Sequence, residues 1–169
     1  MPERIAIYPG SFDPITNGHV DIIRRGLEVI DRVIIAPACN GQKKSLFTLD
    51  ERAGIIKSVF DDEPRVSVRP FSGLLVDFVR AVGTKLVLRG LRAVSDFEYE
   101  FQMTLMNRRL APGIEFIYLM TDRDMLYVSS SAVRELAQHH GRVELFVPPQ
   151  VVGPLKAKYR EDERGYQNG

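Results

Sequence analysis

Short apolar runs alternate with longer amphipathic ones along this chain, and that alternation sets its architecture. Arg4–Tyr8 predicts a first strand, with Ile5–Tyr8 as its apolar run and Pro9-Gly10 as its stop. Val20, Ile23, Leu27 and Ile30 recur at helical spacing and predict a helix over Asn17–Ile30, capped by Thr16 or Asn17. Arg32–Ala36 is a β-branched second strand. Thr48-Leu49-Asp50-Glu51 has the spacing of a capping box and opens a second helix to Phe60. Val66–Arg69 predicts a third strand and Leu74–Val82 a short helix ended by Gly83. Lys85–Arg89 is a fourth strand, and Gly90–Val94 a loop. Ser95-Asp96-Phe97-Glu98 reads as a second capping box, opening a long helix to Leu110. Ala111-Pro112-Gly113 breaks it before a fifth strand, Glu115–Leu119. A helix starting at Ser129–Ser131 runs to His139, and Pro148-Pro149 introduces a last short helix to Tyr159. Residues 160–169 read as a polar, frayed tail behind a single domain spanning 1–159.

Strands that alternate with helices imply a parallel sheet with right-handed crossovers. Ligands of such sheets bind beyond the carboxyl ends of the strands, where the strand order switches. The loops at that edge are Pro9–Thr16, Ala38–Phe47, Phe71–Gly73, Gly90–Val94 and Met120–Val128. They gather His19, Lys43, Arg89, Arg92 and the Ser129-Ser130-Ser131 run at one edge. At Tyr8–His19 a strand end, a small-residue loop and a helix start converge, which suits phosphate.

Composition narrows the chemistry. The chain has 169 residues, 44% hydrophobic and 27% charged, which fits one soluble globular domain. A formal net charge of +1 supplies no global field for nucleic acid or an anionic membrane, so neither is an expected partner. Cys39 is the only cysteine and excludes an intrachain disulfide. The opening Met1-Pro2-Glu3-Arg4 lacks a signal h-region, and no apolar run reaches membrane-span length, so a cytoplasmic location is expected. No GxGxxG, P-loop or G-x-S-x-G pattern occurs, and His139-His140 and Cys39 lack metal-ligand spacing.

Each candidate also has a plain structural reading. A histidine at a helix start is commonly a capping or surface residue, and Lys43-Lys44 a solvated loop. Arg89 and Arg92 suit phosphate oxygens, but Asp96 and Glu98 are close enough in sequence to pair with them. Ser129–Ser131 could be no more than an N-cap, and Glu100 part of an exposed acidic face with Asp96 and Glu98. Phe97, Phe101, Leu105 and the nearby methionines read as core or subunit contact rather than a ligand cage.

Tyr8-Pro9-Gly10-Ser11-Phe12-Asp13-Pro14-Ile15-Thr16-Asn17-Gly18-His19 resembles the T/HxGH signature of the nucleotidyltransferase superfamily. Lys43-Lys44 with Phe47–Arg52, the Arg89–Glu100 segment RGLRAVSDFEYE and the Val128–Glu135 segment VSSSAVRE narrow the resemblance to the bacterial phosphopantetheine adenylyltransferases. It covers Arg4 to Tyr159. It implies an α/β fold with a doubly wound, parallel five-stranded sheet of Rossmann-like, dinucleotide-binding topology. It also implies transfer of adenylate from ATP to 4′-phosphopantetheine, giving dephospho-coenzyme A and pyrophosphate. His19 would stabilise the transition state. Ser11, Lys43, Leu75 and Arg89 would bind the acceptor, Lys43 and Arg89 holding its phosphate. Ser11, Phe12, His19, Gly90, Leu91, Arg92, Glu100 and Met125, Leu126, Tyr127, Val128, Ser129, Ser130 and Ser131 would bind ATP. Mg²⁺ would ride with the triphosphate, without a dedicated protein cage. A homohexamer and feedback by coenzyme A are further implications. Ser11 stands where many relatives carry threonine, Leu75 where some carry methionine, and Met125 where an aromatic is common. A sister nucleotidyltransferase with another acceptor, a non-catalytic nucleotide sensor and a coenzyme-A-binding module all draw on the same residues.

Overall fold

The computed structural model describes residues 3–39 and 45–167, with side chains at all of these except Ser95 and 161–167. Lys43 therefore lies outside the described residues. The elements alternate as the apolar pattern requires: β1 (Ile5–Gly10), α1 (Asn17–Gly26), β2 (Arg32–Pro37), α2 (Leu49–Val59), β3 (Val66–Val68), α3 (Leu75–Val82), β4 (Leu86–Leu91), α4 (Val94–Leu110), β5 (Glu115–Met120), α5 (Ser130–Gln138) and α6 (Pro149–Gln167). All strand pairs are parallel, in the order β3-β2-β1-β4-β5. The chain winds outward from β1 to β3, then returns to the other side of β1 through β4. The switch point of this doubly wound sheet is thus between β1 and β4.

Helices cover both faces. One core joins Ile22 and Ile23 of α1, Ile56 of α2 and Val133 of α5 to Leu88 of β4 and Leu155 of α6. A smaller core on the other face packs Val76 and Val79 of α3 against Ile7, Ile34 and Val87. The central strands β1 and β2 are buried on both faces, so they read as continuous apolar runs rather than alternating ones.

The structure corrects several expected boundaries. Pro9-Gly10 does not stop β1, which stays paired with β2 to Gly10↔Pro37. The ladder from β1 to β4 covers only Ala6 and Ile7, so the missing proline N–H breaks nothing there. Gly90 and Leu91 are not loop but the end of β4, opposite Leu119 and Met120. Helix α1 stops at Gly26 rather than Ile30, with Leu27 as its C-cap. The second capping box does not form. Ala93 is the N-cap of α4, with no side-chain cap bond. Asp96 instead turns back to accept the Arg92 amide and pairs with its guanidinium. Helix α6 is not short. Its helical backbone continues past Tyr159 to Gln167, through the Arg- and Glu-rich stretch from Arg160 whose residues favour helix. Phe97, Phe101 and Leu105 leave the core and lie exposed on α4.

Candidate active site

A cavity of about 550 Å³ opens at the switch point, over the carboxyl ends of β1 and β4. Its wall includes Ser11 and Phe12 after β1, His19 in α1, Arg89, Gly90 and Arg92 of the β4 end, Glu100 of α4, and Val128 to Ser131 leading into α5.

His19 is held by the cap of its own helix. Thr16 is the N-cap of α1, and its hydroxyl accepts the His19 amide at 3.4 Å. In return the Thr16 backbone N–H donates to His19 Nδ1 at 3.0 Å, a capping box with histidine in the place of glutamate. A backbone N–H can only donate. Nδ1 is therefore the acceptor, and the proton of the neutral ring sits on Nε2. Burial pulls the ring's pKa down to about 4, with further lowering by Arg92 and Arg89. At neutral pH His19 is an uncharged Nε2–H donor.

Phe12 fixes the same ring from beside it. It holds a left-handed backbone, φ 47°, and its side chain is 1% exposed. Its ring meets His19 edge-on at 5.1 Å and Tyr8 at 5.4 Å. Gly10 makes room for it, since a Cβ there would stand 2.9 Å from Phe12 Cζ. Phe12 thus packs against the imidazole while still lining the cavity.

The arginines come with partners. Arg89 donates from Nε to Glu100 at 2.9 Å and from Nη2 to the second carboxylate oxygen, while Nη1 donates to the Pro9 carbonyl. Burial opposes the charge on this guanidinium, but the Glu100 bonds prevail and keep its pKa raised. Glu100 is 8% exposed and so is not part of an acidic surface face. Arg92 pairs with Asp96 at 3.1 Å. Ser129 caps α5 by accepting the Ala132 amide at 3.1 Å, and Ser130 Oγ donates to the Pro14 carbonyl at 2.8 Å. The plain structural readings of Arg92 and Ser129 therefore hold, and both residues still line the cavity.

Other expected residues stand elsewhere. Leu75 opens α3 and packs against the smaller core. Leu91 is buried in β4, Met125 packs on the larger core, and Tyr127 is exposed with its ring against Phe146. None of these, nor Leu126, lines the cavity.

Three charged wall residues escaped the sequence reading. Asp13, buried, accepts the amides of Leu46 and Phe47 at 2.8 and 2.9 Å, and pairs with Arg134 of α5. Arg52 of α2 is buried beneath the loops after β1 and β2. Its signal was present: Arg52 falls on the apolar stripe of Ala53, Ile56 and Val59, where a charge is out of place unless it has work to do. Asp13 and Arg134, 121 residues apart, left no such trace.

Among the described residues no group of three or more His, Cys, Asp or Glu side chains could hold a metal. The cavity carboxylates Asp13, Asp96 and Glu100 each face an arginine.

Residues 7–136 match the cytidylyltransferase-like family. The chain is similar to the phosphopantetheine adenylyltransferase of Geotalea daltonii, with 53% identity over 94% of this chain and 99% of that one. It is likewise similar to the proteins of that name from Anaeromyxobacter dehalogenans strain 2CP-C, 53% identical over 92% and 94%, and from Moorella thermoacetica, 49% identical over 92% and 98%.

Proposed function

This chain belongs to the cytidylyltransferase-like family, and from that premise we infer that it is a nucleotidyltransferase that moves adenylate from ATP to 4′-phosphopantetheine. The products are dephospho-coenzyme A and pyrophosphate, a step of coenzyme A biosynthesis. The observation that carries the mechanism is His19, held neutral with its proton on Nε2.

A phosphate acceptor is already an anion near neutral pH and needs no strong base. One of its oxygens attacks the α-phosphorus of ATP, the new P–O bond forms, and the bond to pyrophosphate breaks in line. The catalytic work is positioning and stabilising the charge that builds on the α-phosphate oxygens. A ring that stays uncharged down to about pH 4 is a poor base but a constant hydrogen-bond donor. His19 Nε2–H serves that role, with Thr16 and Phe12 keeping it aimed. Arg92 and the serine end of α5 suit the nucleotide phosphates. Ser11 and Arg89 are assigned to the acceptor, together with Lys43, which lies outside the described residues. Mg²⁺ bound to ATP would neutralise phosphate charge, and the cavity carboxylates Asp13, Asp96 and Glu100, each facing an arginine, would not be required to hold it.

The chain acts in the cytoplasm as a homohexamer. Support for assembly comes from α4, which leaves Val94, Phe97, Phe101, Leu105, Met106 and Leu110 exposed, and an apolar patch of this kind marks a protein contact. Coenzyme A, which contains the product's pantetheine and nucleotide halves, is the expected feedback ligand of the same cavity.

The test is pyrophosphate release from ATP and Mg²⁺ with 4′-phosphopantetheine, nicotinate mononucleotide or glycerol 3-phosphate as acceptor. Release with phosphopantetheine alone is expected. Release with another acceptor reassigns the acceptor side of the cavity, and ATP binding without release with any of them makes the chain a sensor.

A further inference from the structure

Four arginines line the cavity: Arg52, Arg89, Arg92 and Arg134. Three of them face a carboxylate, Glu100, Asp96 and Asp13 respectively, so each of those charges is largely cancelled before any ligand arrives. Arg52 has no carboxylate partner among the described residues. It is 3% exposed, yet its guanidinium touches only carbonyls: Ser11 at 2.6 Å and Ala38 at 3.0 Å from Nη1, and Thr48 at 3.4 Å from Nε.

Nη2 makes no hydrogen bond among the described residues. No buried side-chain nitrogen or oxygen of these residues lacks a partner, so Nη2 is reached from the cavity. A buried guanidinium is costly unless an anion answers it. Carbonyl dipoles satisfy its donors but do not cancel its charge.

We propose that Arg52 is the anion anchor of the acceptor side: Nη1 ties the loops after β1 and β2 together through the Ser11 and Ala38 carbonyls, and Nη2 takes the acceptor's phosphate. The placement selects the acceptor rather than the nucleotide. Ser11 and Ala38 follow β1 and β2 where those two strands end side by side, whereas Arg92 follows the end of β4. Arg89, with its Nε–Nη2 fork engaged by Glu100, is left with only its outward N–H groups for a ligand. Arg52 therefore adds an uncancelled charge for the phosphate beside the Lys43 and Arg89 already assigned to it. This rests on the phosphopantetheine reading above.

The test compares wild type, Arg52→Met and Arg52→Lys by calorimetric titration of 4′-phosphopantetheine, pantetheine, inorganic phosphate and ATP. Losing a charged hydrogen-bond partner is expected to weaken 4′-phosphopantetheine by about 10- to 100-fold in Arg52→Met. Pantetheine, which lacks the phosphate, and ATP should stay within about threefold of wild type on the same grounds. Lysine keeps the charge without the fork, so Arg52→Lys should fall between the two, and it decides the matter if the methionine variant does not fold. A loop clamp alone would weaken pantetheine and phosphopantetheine equally. That result, or unchanged phosphopantetheine affinity in a folded variant, overturns the proposal. If wild type does not bind phosphopantetheine at all, the acceptor reading falls. Arg52 is then judged by inorganic phosphate, whose binding must drop in the variants for the anchor to stand.

Discussion

At the scale of single residues the site turns on one proton. Thr16 N–H occupies Nδ1 of His19, and burial keeps the ring neutral, so the ring can donate but hardly accept a second proton. His19→Ala removes this donor and should lower the rate of pyrophosphate release by about 10²–10³ while leaving the fold intact, the effect of losing one oxyanion-type donor. A folded variant with near-normal turnover would refute the role. The same ring makes stability depend on pH. Its pKa falls from the ordinary 6.5 in the unfolded chain to about 4 in the folded one. Between these values the unfolded state binds more protons, so stability is full above pH 6.5 and drains as pH falls toward 4. Thermal melts of the unliganded protein should show a fall in Tm across that window that is shallower in His19→Ala, and parallel curves would contradict the buried neutral ring.

Residue-scale features were legible where they are local. Thr16 and His19 are three apart, and the same cap that starts a helix sets the ring. Arg89 with Glu100 is less legible, because Asp96 and Glu98 lie nearer to it in sequence. Only the way α4 lies along β4 brings Glu100, and not Glu98, to the guanidinium.

Among the elements, α1 matters most because it carries His19. It sits close on β4 at two glycines. A Cβ on Gly26 would stand 2.8 Å from Leu88 Cδ2, and one on Gly90 would stand 2.9 Å from Ile22 Cγ1. Ile22 is fully buried in α1, so it has nowhere to go. Gly90→Ala should therefore cost about 1–3 kcal/mol by overpacking and displace α1 enough to reduce turnover. Adding Ile22→Ala, which removes Cγ1 itself, should let α1 settle back and recover part of the turnover. Wild-type stability and turnover in Gly90→Ala would show that α1 does not bear on β4 there. The strand ends explain why boundaries shifted. Pro9, Gly90 and Leu91 carry turn or loop signals, but parallel pairing to a neighbour on one side is enough to keep each in its strand.

For the whole molecule, the exposed apolar row on α4 is the feature a lone domain does not explain. Sedimentation of the wild type should show a species near six times the 19.2 kDa chain. Phe101→Glu with Leu105→Glu should give monomers with unchanged helical content, since both residues are already exposed within the single chain. A monomeric wild type would remove the assembly reading. No helix among the described residues is long and apolar enough to cross a membrane, so the α4 row is not accounted for by a membrane span.

The sequence by itself determined the order of strands and helices, the parallel α/β class, and the edge of the sheet where the chemistry gathers. These follow from periodicity, caps and turn residues, which act within a few positions along the chain. It offered Thr16 or Asn17 as the cap before His19, and the structure chose Thr16, whose bonds with His19 close over a single helical turn. The tertiary structure alone decided which charges cancel. Glu100 takes Arg89, Asp13 takes Arg134 across the fold, and Arg52 meets the Ser11 and Ala38 carbonyls with no carboxylate partner among the described residues. Such pairings depend on which strand lies next to which. A guanidinium reaches whatever the sheet order brings within about 3 Å, however far away it stands in the chain.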